Sequence, residues 1–216
     1  MDIRFQTGGP SAWKAEAVLT FVFEGEGPDE ACHVLEQAAP WLGIAPAWRD
    51  FKGKKRELAT LYGPPAMDIP RVQAVGLGRR EALTAVDLRY AVGGAVRLCR
   101  EQGAADVGID LASLGRVAPV LDRDLAALAR EVVLAALLGL YRYDRWLSDR
   151  AELPADPARL FLLVDDEFAP CATPYAWEKP RRQACAWPAI WPTDRPMWSL
   201  PRPLPRRRAR WPSGAV

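Results

Sequence analysis

Short β-type runs alternate with helical patterns along residues 2–166, and this alternation constrains the fold more strongly than any other feature of the chain. Strands are predicted at 2–7, 15–26, 54–63, 71–78, 105–111 and 159–166. Helical patterns begin at Pro28 and occupy 83–103 and 122–146. The predicted order β-β-α-β-β-α-β-α-β is typical of a layered α/β fold with a mostly parallel or mixed central sheet.

The pattern over residues 83–103 is the clearest helix in the chain. Thr84 is the predicted N-cap, and Gly103 is the natural stop after the last turn. Apolar residues recur at helical spacing between them, at Val86, Leu88, Ala91, Ala95 and Leu98. This spacing indicates an amphipathic helix with one apolar face.

The charge of the chain is divided unevenly between its body and its last residues. The formal net charge is +2, but residues 178–216 carry nine basic and two acidic residues, which leaves about −5 for residues 1–177. Eight prolines between Pro180 and Pro212 oppose regular structure there. We therefore predict an α/β domain over 1–168 and an irregular tail rich in Pro, Arg and Trp over 169–216.

Composition argues against several classes of function. The cysteines (Cys32, Cys99, Cys171 and Cys185) form no C-x-x-C pair, and His33 is the only histidine, so a zinc site is not predicted. The first residues lack a signal-peptide pattern, and the most apolar run, 131–141, is too short to span a bilayer. We expect a cytoplasmic protein with no membrane partner.

Two segments could contact an anionic ligand. Gly76 and Gly78 end a predicted strand, where a glycine turn can let backbone N–H groups approach a phosphate, but the third glycine of the dinucleotide fingerprint is missing. A tight strand-to-helix turn is the alternative. The basic run at 51–57 allows an anion site or a solvated hairpin turn.

An acidic cluster and an aromatic cluster could each serve a ligand site or have a purely structural role. Asp165, Asp166 and Glu167 could offer carboxylates to a divalent cation, or form an exposed strand end. Tyr141, Tyr143 and Trp146 could stack on a ligand, or pack at the end of a helix; Tyr143 and Trp146 share a helical face. From the residues alone we assign no catalytic, cofactor-binding or metal-binding residue.

Five segments in a fixed order carry a resemblance to a known family. They read FKGKKRELATLYG, RVQAVGLGRREALTAVDLRYAVGGAVR, VGIDL, AREVVLAALLGLYRYDRW and RLFLLVDD. Together they resemble the N-terminal domain of the leucyl (cytosol) aminopeptidase family over residues 15–168. Gly139, Tyr141, Tyr143 and Trp146 occupy its G-x-Y-x-F/Y-x-x-Y/W signature, with Tyr143 where Phe is more usual.

The resemblance implies a macro-like three-layer α/β domain that performs no chemistry itself. It implies that full-length members are hexameric aminopeptidases that act on peptides, with two divalent cations (manganese or zinc) in a separate C-terminal domain. The ligands and the catalytic Lys and Arg of that domain lie on motifs of the kind K-G-x-x-x-D-S-G-G and N-T-D-A-E-G-R-L, and neither occurs in this sequence. We therefore expect this chain to hold no cofactor and to be inactive.

The tail indicates a frameshift. Members of the family continue with a segment of the kind L-A-x-D-L-x-N-x-P-A-N-x-x-T-P, whereas residues 185–201 read CAWPAIWPTDRPMWSLP. Reading the possible codons from the last base of Cys185 permits Cys-Leu-Ala-Gly-Asp-Leu-Ala-Asn-Arg-Pro-Ala-Asn-Val-Val-Thr-Pro, which is the expected motif. We therefore predict a change of frame, natural or from sequencing, within 178–182.

Other functions remain open at this stage. The basic tail could bind nucleic acid through phosphate contacts and tryptophan stacking. A macro-like domain could hold an ADP-ribose-like ligand at Gly76 and Gly78, or the chain could join hexamers of an intact aminopeptidase as a scaffold subunit. Loss of a covering catalytic domain would expose an apolar face, so we also expect poor solubility.

Overall fold

The computed structural model describes residues 1–7, 10–65, 67–142 and 153–164, which form a six-stranded mixed sheet with helices packed on it. The strands are β1 (Asp2–Gln6), β2 (Ala17–Phe23), β3 (Leu58–Tyr62), β4 (Arg71–Gly78), β5 (Asp106–Asp110) and β6 (Arg159–Leu163). The helices are α1 (Pro28–Ala31), α2 (Leu35–Ala38), α3 (Ala85–Glu101), α4 (Leu111–Val117) and α5 (Leu125–Leu140).

The strands are arranged in the order β1-β6-β5-β2-β4-β3. All neighbours are parallel except β3, which pairs antiparallel with β4. The predicted α/β class and mixed sheet are confirmed. β1 lies at one edge and pairs only with β6, in a register that places Asp2 beside Arg159.

Two apolar cores cover the two faces of the sheet, because side chains alternate along each strand. On β2, Leu19 and Phe21 point to the face covered by α3, α4 and α5, whereas Val18 and Val22 point to the face covered by the segment from Trp13 to Phe51. The result is the three-layer arrangement that the resemblance implied.

The segment that begins at Pro28 differs from its prediction. A helix begins at Pro28, as predicted, but it ends at Ala31. The chain continues through α2 and through 3₁₀ turns at Leu42–Ile44 and Pro46–Arg49. Buried residues are adjacent in the sequence, as at Val34 and Leu35 or at Trp41 and Leu42. Pro40 and Pro46 lack a backbone N–H and oppose one continuous helix, so the chain covers the sheet in short helices and turns.

Helix α3 has the ends that the sequence predicts. The Thr84 hydroxyl accepts a hydrogen bond from the Asp87 N–H at 3.2 Å, and Gly103 takes a φ of +73° just beyond the C-cap. Leu88, which belongs to the predicted apolar face, is buried. Val86 was predicted to belong to the same face but is 51% exposed, so the Val86 side chain faces away from the sheet.

Candidate functional site

The carboxyl ends of parallel strands form the edge at which open α/β sheets usually bind ligands. Here β2 ends at Phe23 and β4 ends at Gly78. The following loops, at 24–26 and 79–81, enclose a recess of about 280 Å³. We call this end of the sheet the carboxyl edge, and it contains Gly76 and Gly78, the glycines that the sequence singled out.

Gly76 and Gly78 contact the loop formed by residues 51–57. The Gly76 N–H donates to the Glu57 carbonyl oxygen at 2.7 Å, and the Gly78 N–H donates to the Gly53 carbonyl oxygen at 2.9 Å. A Cβ on Gly76 would collide with a backbone carbonyl of this loop. Because both N–H groups are already paired within the protein, Gly76 and Gly78 do not offer them to a phosphate. The chain leaves β4 through a 3₁₀ turn at Arg80–Ala82 before α3 begins at Ala85.

The basic run at 51–57 is a solvated loop, and one of its lysines, Lys55, forms an ion pair with α3. The Glu57 carboxylate accepts the Lys54 N–H at 2.8 Å and so closes the loop. Lys55 Nζ lies 2.8 Å from Asp87 Oδ1 at the start of α3. The hydrogen bond from Lys55 is the main reason why the pKa of Asp87 lies below its usual range. The loop therefore connects the carboxyl edge to α3.

Glu26 forms ion pairs with two arginines, Arg80 and Arg116, beside the recess. Its Oε1 lies 2.6 Å from Arg80 Nη2 and its Oε2 lies 2.7 Å from Arg116 Nη1. Burial raises the pKa of Glu26, but the bonds from the Phe23 N–H and from Arg116 and Arg80 outweigh it, so the pKa lies below its ordinary value. Arg116 also donates to the Phe21 carbonyl oxygen at 2.6 Å. These charges tie α4 to β2.

Asp110 is the most buried carboxyl group at the carboxyl edge. Its Oδ1 accepts the Ala112 N–H at 3.0 Å, and its Oδ2 accepts the Thr20 hydroxyl at 3.3 Å. Burial raises the pKa of Asp110 above its ordinary value despite these bonds. Cys32 lies 3.7 Å from the Thr20 hydroxyl, and burial raises the pKa of its thiol to about 12. A thiol in this state is a poor nucleophile at neutral pH.

The remaining candidates from the sequence do not assemble into a site. His33 is exposed, Cys99 is buried, and Tyr141 is 72% exposed. Within the described ranges, no three His, Cys, Asp or Glu side chains are grouped so that they could hold a metal ion. The other candidates lie outside the described residues: Tyr143, Trp146, Asp165, Asp166, Glu167, Cys171, Cys185 and the tail.

Sequence reasoning did not identify a second recess, a groove of about 960 Å³ between α3 and α5. We call it the α3/α5 groove and define it by Val86, Tyr90 and Arg97 of α3 and Arg130, Leu134 and Leu138 of α5. The exposed fraction of Tyr90 is 63% and that of Leu138 is 61%. The sequence of α5 contains more apolar residues than one buried face of a helix requires, and this feature could have indicated an exposed apolar surface.

The two helices touch at the base of the groove through glycines. A Cβ on Gly139 would lie 2.5 Å from the Gly93 Cα and 2.7 Å from the Gly93 carbonyl oxygen. The absence of a Cβ at Gly139 permits this close approach of the two backbones. Gly139 is the glycine of the signature described above, and its structural role is to let α5 approach α3.

Comparison with known proteins identifies the family. The model described as "Cytosol aminopeptidase family, N-terminal domain" matches residues 19–150, which is more than half of the chain. The chain belongs to the cytosol aminopeptidase family. A probable cytosol aminopeptidase of Nitratidesulfovibrio vulgaris is 51% identical over 174 residues, which cover 79% of this chain and 34% of that protein.

Other relatives give the same picture. A probable cytosol aminopeptidase of Desulfovibrio desulfuricans is 42% identical over 86% of this chain and 36% of its own length. A solved variant of tomato leucine aminopeptidase has the same fold, with a TM-score of 0.57 at 17% identity, over 76% of this chain and 32% of its own. The chain thus spans about a third of the length of its relatives.

The helices of the described residues give no indication of a membrane span. None of them combines the length and the apolar character that crossing a bilayer requires.

Proposed function

We propose that residues 1–168 are the non-catalytic N-terminal domain of a cytoplasmic leucyl aminopeptidase and that this chain does not hydrolyse peptides. The observation that carries the proposal is the family match over 19–150, which contains β3, β4, β5 and the helices α1 to α5. The carboxyl edge supports it, because Glu26 is held by arginines and Asp110 is fully buried. Both carboxylates are therefore already engaged by other groups of the protein, which leaves neither of them free to act in hydrolysis.

The full-length parent would use two divalent cations, manganese or zinc, to activate water and release N-terminal amino acids, leucine among them. Such a pair of ions needs several carboxylates to bridge and hold it. The described residues do not fit this requirement, because they contain no suitable cluster of ligands. We therefore derive no hydrolytic step from them and propose that the metal centre belongs to the two thirds of the relatives that this chain does not match. We also propose that the parent is hexameric.

We further propose that the tail after about residue 178 is read in a shifted frame. The support is the agreement between the shifted reading from Cys185 and the segment expected next in the family. The unusual content of Pro, Arg and Trp supports it as well, because GC-rich DNA gives these residues when it is read out of frame.

Two measurements test these proposals separately. Genomic DNA is re-sequenced across codons 175–216 and the following kilobase; an open shifted frame through both metal-binding motifs is expected, and an early stop codon would refute the frameshift. Release of leucine from a leucyl anilide is then measured with added Mn²⁺ or Zn²⁺. The 216-residue chain should be inactive and the repaired gene product active, whereas metal-dependent turnover by the 216-residue chain would refute the non-catalytic assignment.

A further inference from the structure

The rim of the α3/α5 groove carries two arginines, Arg97 and Arg130, for which the described part of the chain supplies no counter-charge. Arg89 Nε lies 2.7 Å from Glu131 Oε1, so this pair is neutralised. Arg130 Nε donates to the Ala126 carbonyl oxygen, at 3.2 Å. Among the described residues, no carboxylate lies within ion-pair distance of Arg130 or Arg97. The rim therefore attracts an anionic partner.

The floor of the same groove is apolar and open to solvent. Val86 is 51% exposed, Leu134 46% and Leu138 61%, and each lines the groove together with Tyr90. The surface is concave, which favours a polypeptide segment over the nearly flat surface of a membrane. The basic rim can bind carboxylates and the apolar floor can bind large apolar side chains. Together they fit a polypeptide segment in which carboxylates precede large apolar side chains.

Residues 165–177 of the same chain have this composition. They begin with the acidic run Asp165-Asp166-Glu167 and continue with three aromatic residues, Phe168, Tyr175 and Trp177. Pro170 and Pro174 oppose a helix within the segment and favour an extended backbone. The segment also precedes the proposed change of frame, so it belongs to the same reading frame as the domain.

The segment is long enough to reach the groove. It follows Val164, whose side chain belongs to the core layer that α3 and α5 cover. An extended chain of this length spans up to about 43 Å, whereas a domain of this size has a radius of gyration of about 15 Å. We propose that residues 165–177 occupy the α3/α5 groove, with the acidic run beside Arg130 and Arg97 and the aromatic side chains on Leu134 and Leu138.

Cys171 lies inside the segment and provides a probe of its position. In the full chain carrying Cys185→Ser, a new thiol is placed on the floor by Leu134→Cys or, in a second variant, by Leu138→Cys. The matched control is Tyr62→Cys on β3, a position that is 65% exposed. Formation of an intramolecular disulfide is followed under mild oxidation by non-reducing electrophoresis and peptide mass spectrometry.

The native thiols do not compete in this experiment. Cys32 and Cys99 are buried, and burial raises the pKa of each to about 12, so they supply little thiolate. A disulfide also requires Cα atoms within about 7 Å of each other. Rapid pairing with Cys171 therefore reports that the segment occupies the groove.

We expect pairing at Leu134→Cys or Leu138→Cys to be at least about tenfold faster than at Tyr62→Cys, because docking raises the local thiol concentration. Adding Arg97→Glu and Arg130→Glu should reduce the rate to that of the control. Equal rates at the groove and at the control site would overturn the proposal. Disulfide-linked dimers at Leu134→Cys would also overturn it, because they would identify a second copy as the occupant.

Discussion

The glycine contact between α3 and α5 gives a quantitative prediction. In Gly139→Ala the new methyl carbon would lie 2.5 Å from the Gly93 Cα, whereas carbon atoms pack at about 3.5–4.0 Å. The helices must separate by about 1 Å, and overpacking of this kind costs up to about 3 kcal/mol when backbone is the obstacle. The gain in helix propensity offsets about 1 kcal/mol. We expect a net loss of about 2 kcal/mol in the free energy of unfolding.

Gly93→Ala is the matched control, because the same chemical change is made on the other side of the contact. Its methyl carbon would lie 3.4 Å from the Gly139 Cα and 3.5 Å from the Ala135 carbonyl oxygen, which is close to ordinary contact. Steric cost is therefore small, and the gain in helix propensity should stabilise the chain by about 0.5–1 kcal/mol.

Urea unfolding of the full chain, followed by far-ultraviolet circular dichroism, measures both variants against the unmodified protein. Gly139→Ala should also unfold about 4–8 °C lower on heating, given about 2–4 °C per kcal/mol for chains of this size. Equal stabilities for the two variants, or a Gly139→Ala protein as stable as the unmodified chain, would refute the argument from backbone contact.

Three further predictions concern the carboxyl edge. Gly53→Ala should destabilise the chain by about 1–2 kcal/mol more than Gly25→Ala in urea unfolding, because both positions have positive φ but only at Gly53 would the Cβ collide with the Phe23 carbonyl. The fold lowers the pKa of Glu26, so the ionised carboxylate stabilises the folded chain above pH 4.5, the ordinary pKa of this group. This stabilisation is lost as the pH falls through the pKa of the folded state. Glu26→Gln should therefore flatten the acid limb of the stability–pH curve. Since the fold raises the pKa of Asp110 above 3.8, its contribution is lost as the pH rises through the folded pKa. Asp110→Asn should therefore be more stable than the unmodified chain at pH 7 and equal to it below pH 3.8, and a gap that persists in acid would contradict this.

Elements with local signals were predictable from the sequence. Helix α3 carries its own N-cap at Thr84 and its own stop at Gly103, and β4 is a continuous apolar run that needs no partner to be recognised. Helix α4 was missed because it has seven residues, too few for a periodic pattern, although Asp110 caps it. Local sequence patterns therefore predicted the long elements, but not a short helix such as α4, which depends on tertiary packing.

The character of the candidate sites depended on contacts between distant residues. Gly76 and Gly78 had the spacing of an anion-binding turn, but carbonyl groups of the loop at 51–57, which lie 19 and 25 residues earlier in the chain, accept their N–H groups. Val86 fitted the apolar stripe of α3, yet it lines the groove, because the stripe is wider than the surface that the sheet covers. In both cases the decisive contact is with a distant part of the chain, which the local sequence pattern does not reveal.

The pairing of β1 with β6 has a consequence for how the domain forms during protein synthesis. Their partnered residues Asp2 and Arg159 are 157 positions apart, and the Trp13 indole donates to the Val164 carbonyl oxygen at 3.3 Å. During synthesis β1 therefore leaves the ribosome long before β6, the strand with which its backbone pairs. A chain that stops before β6 leaves both β1 and β5 with an open edge, which is a hazard for aggregation. A nascent chain that has passed Val164 carries all six strands that the described residues form.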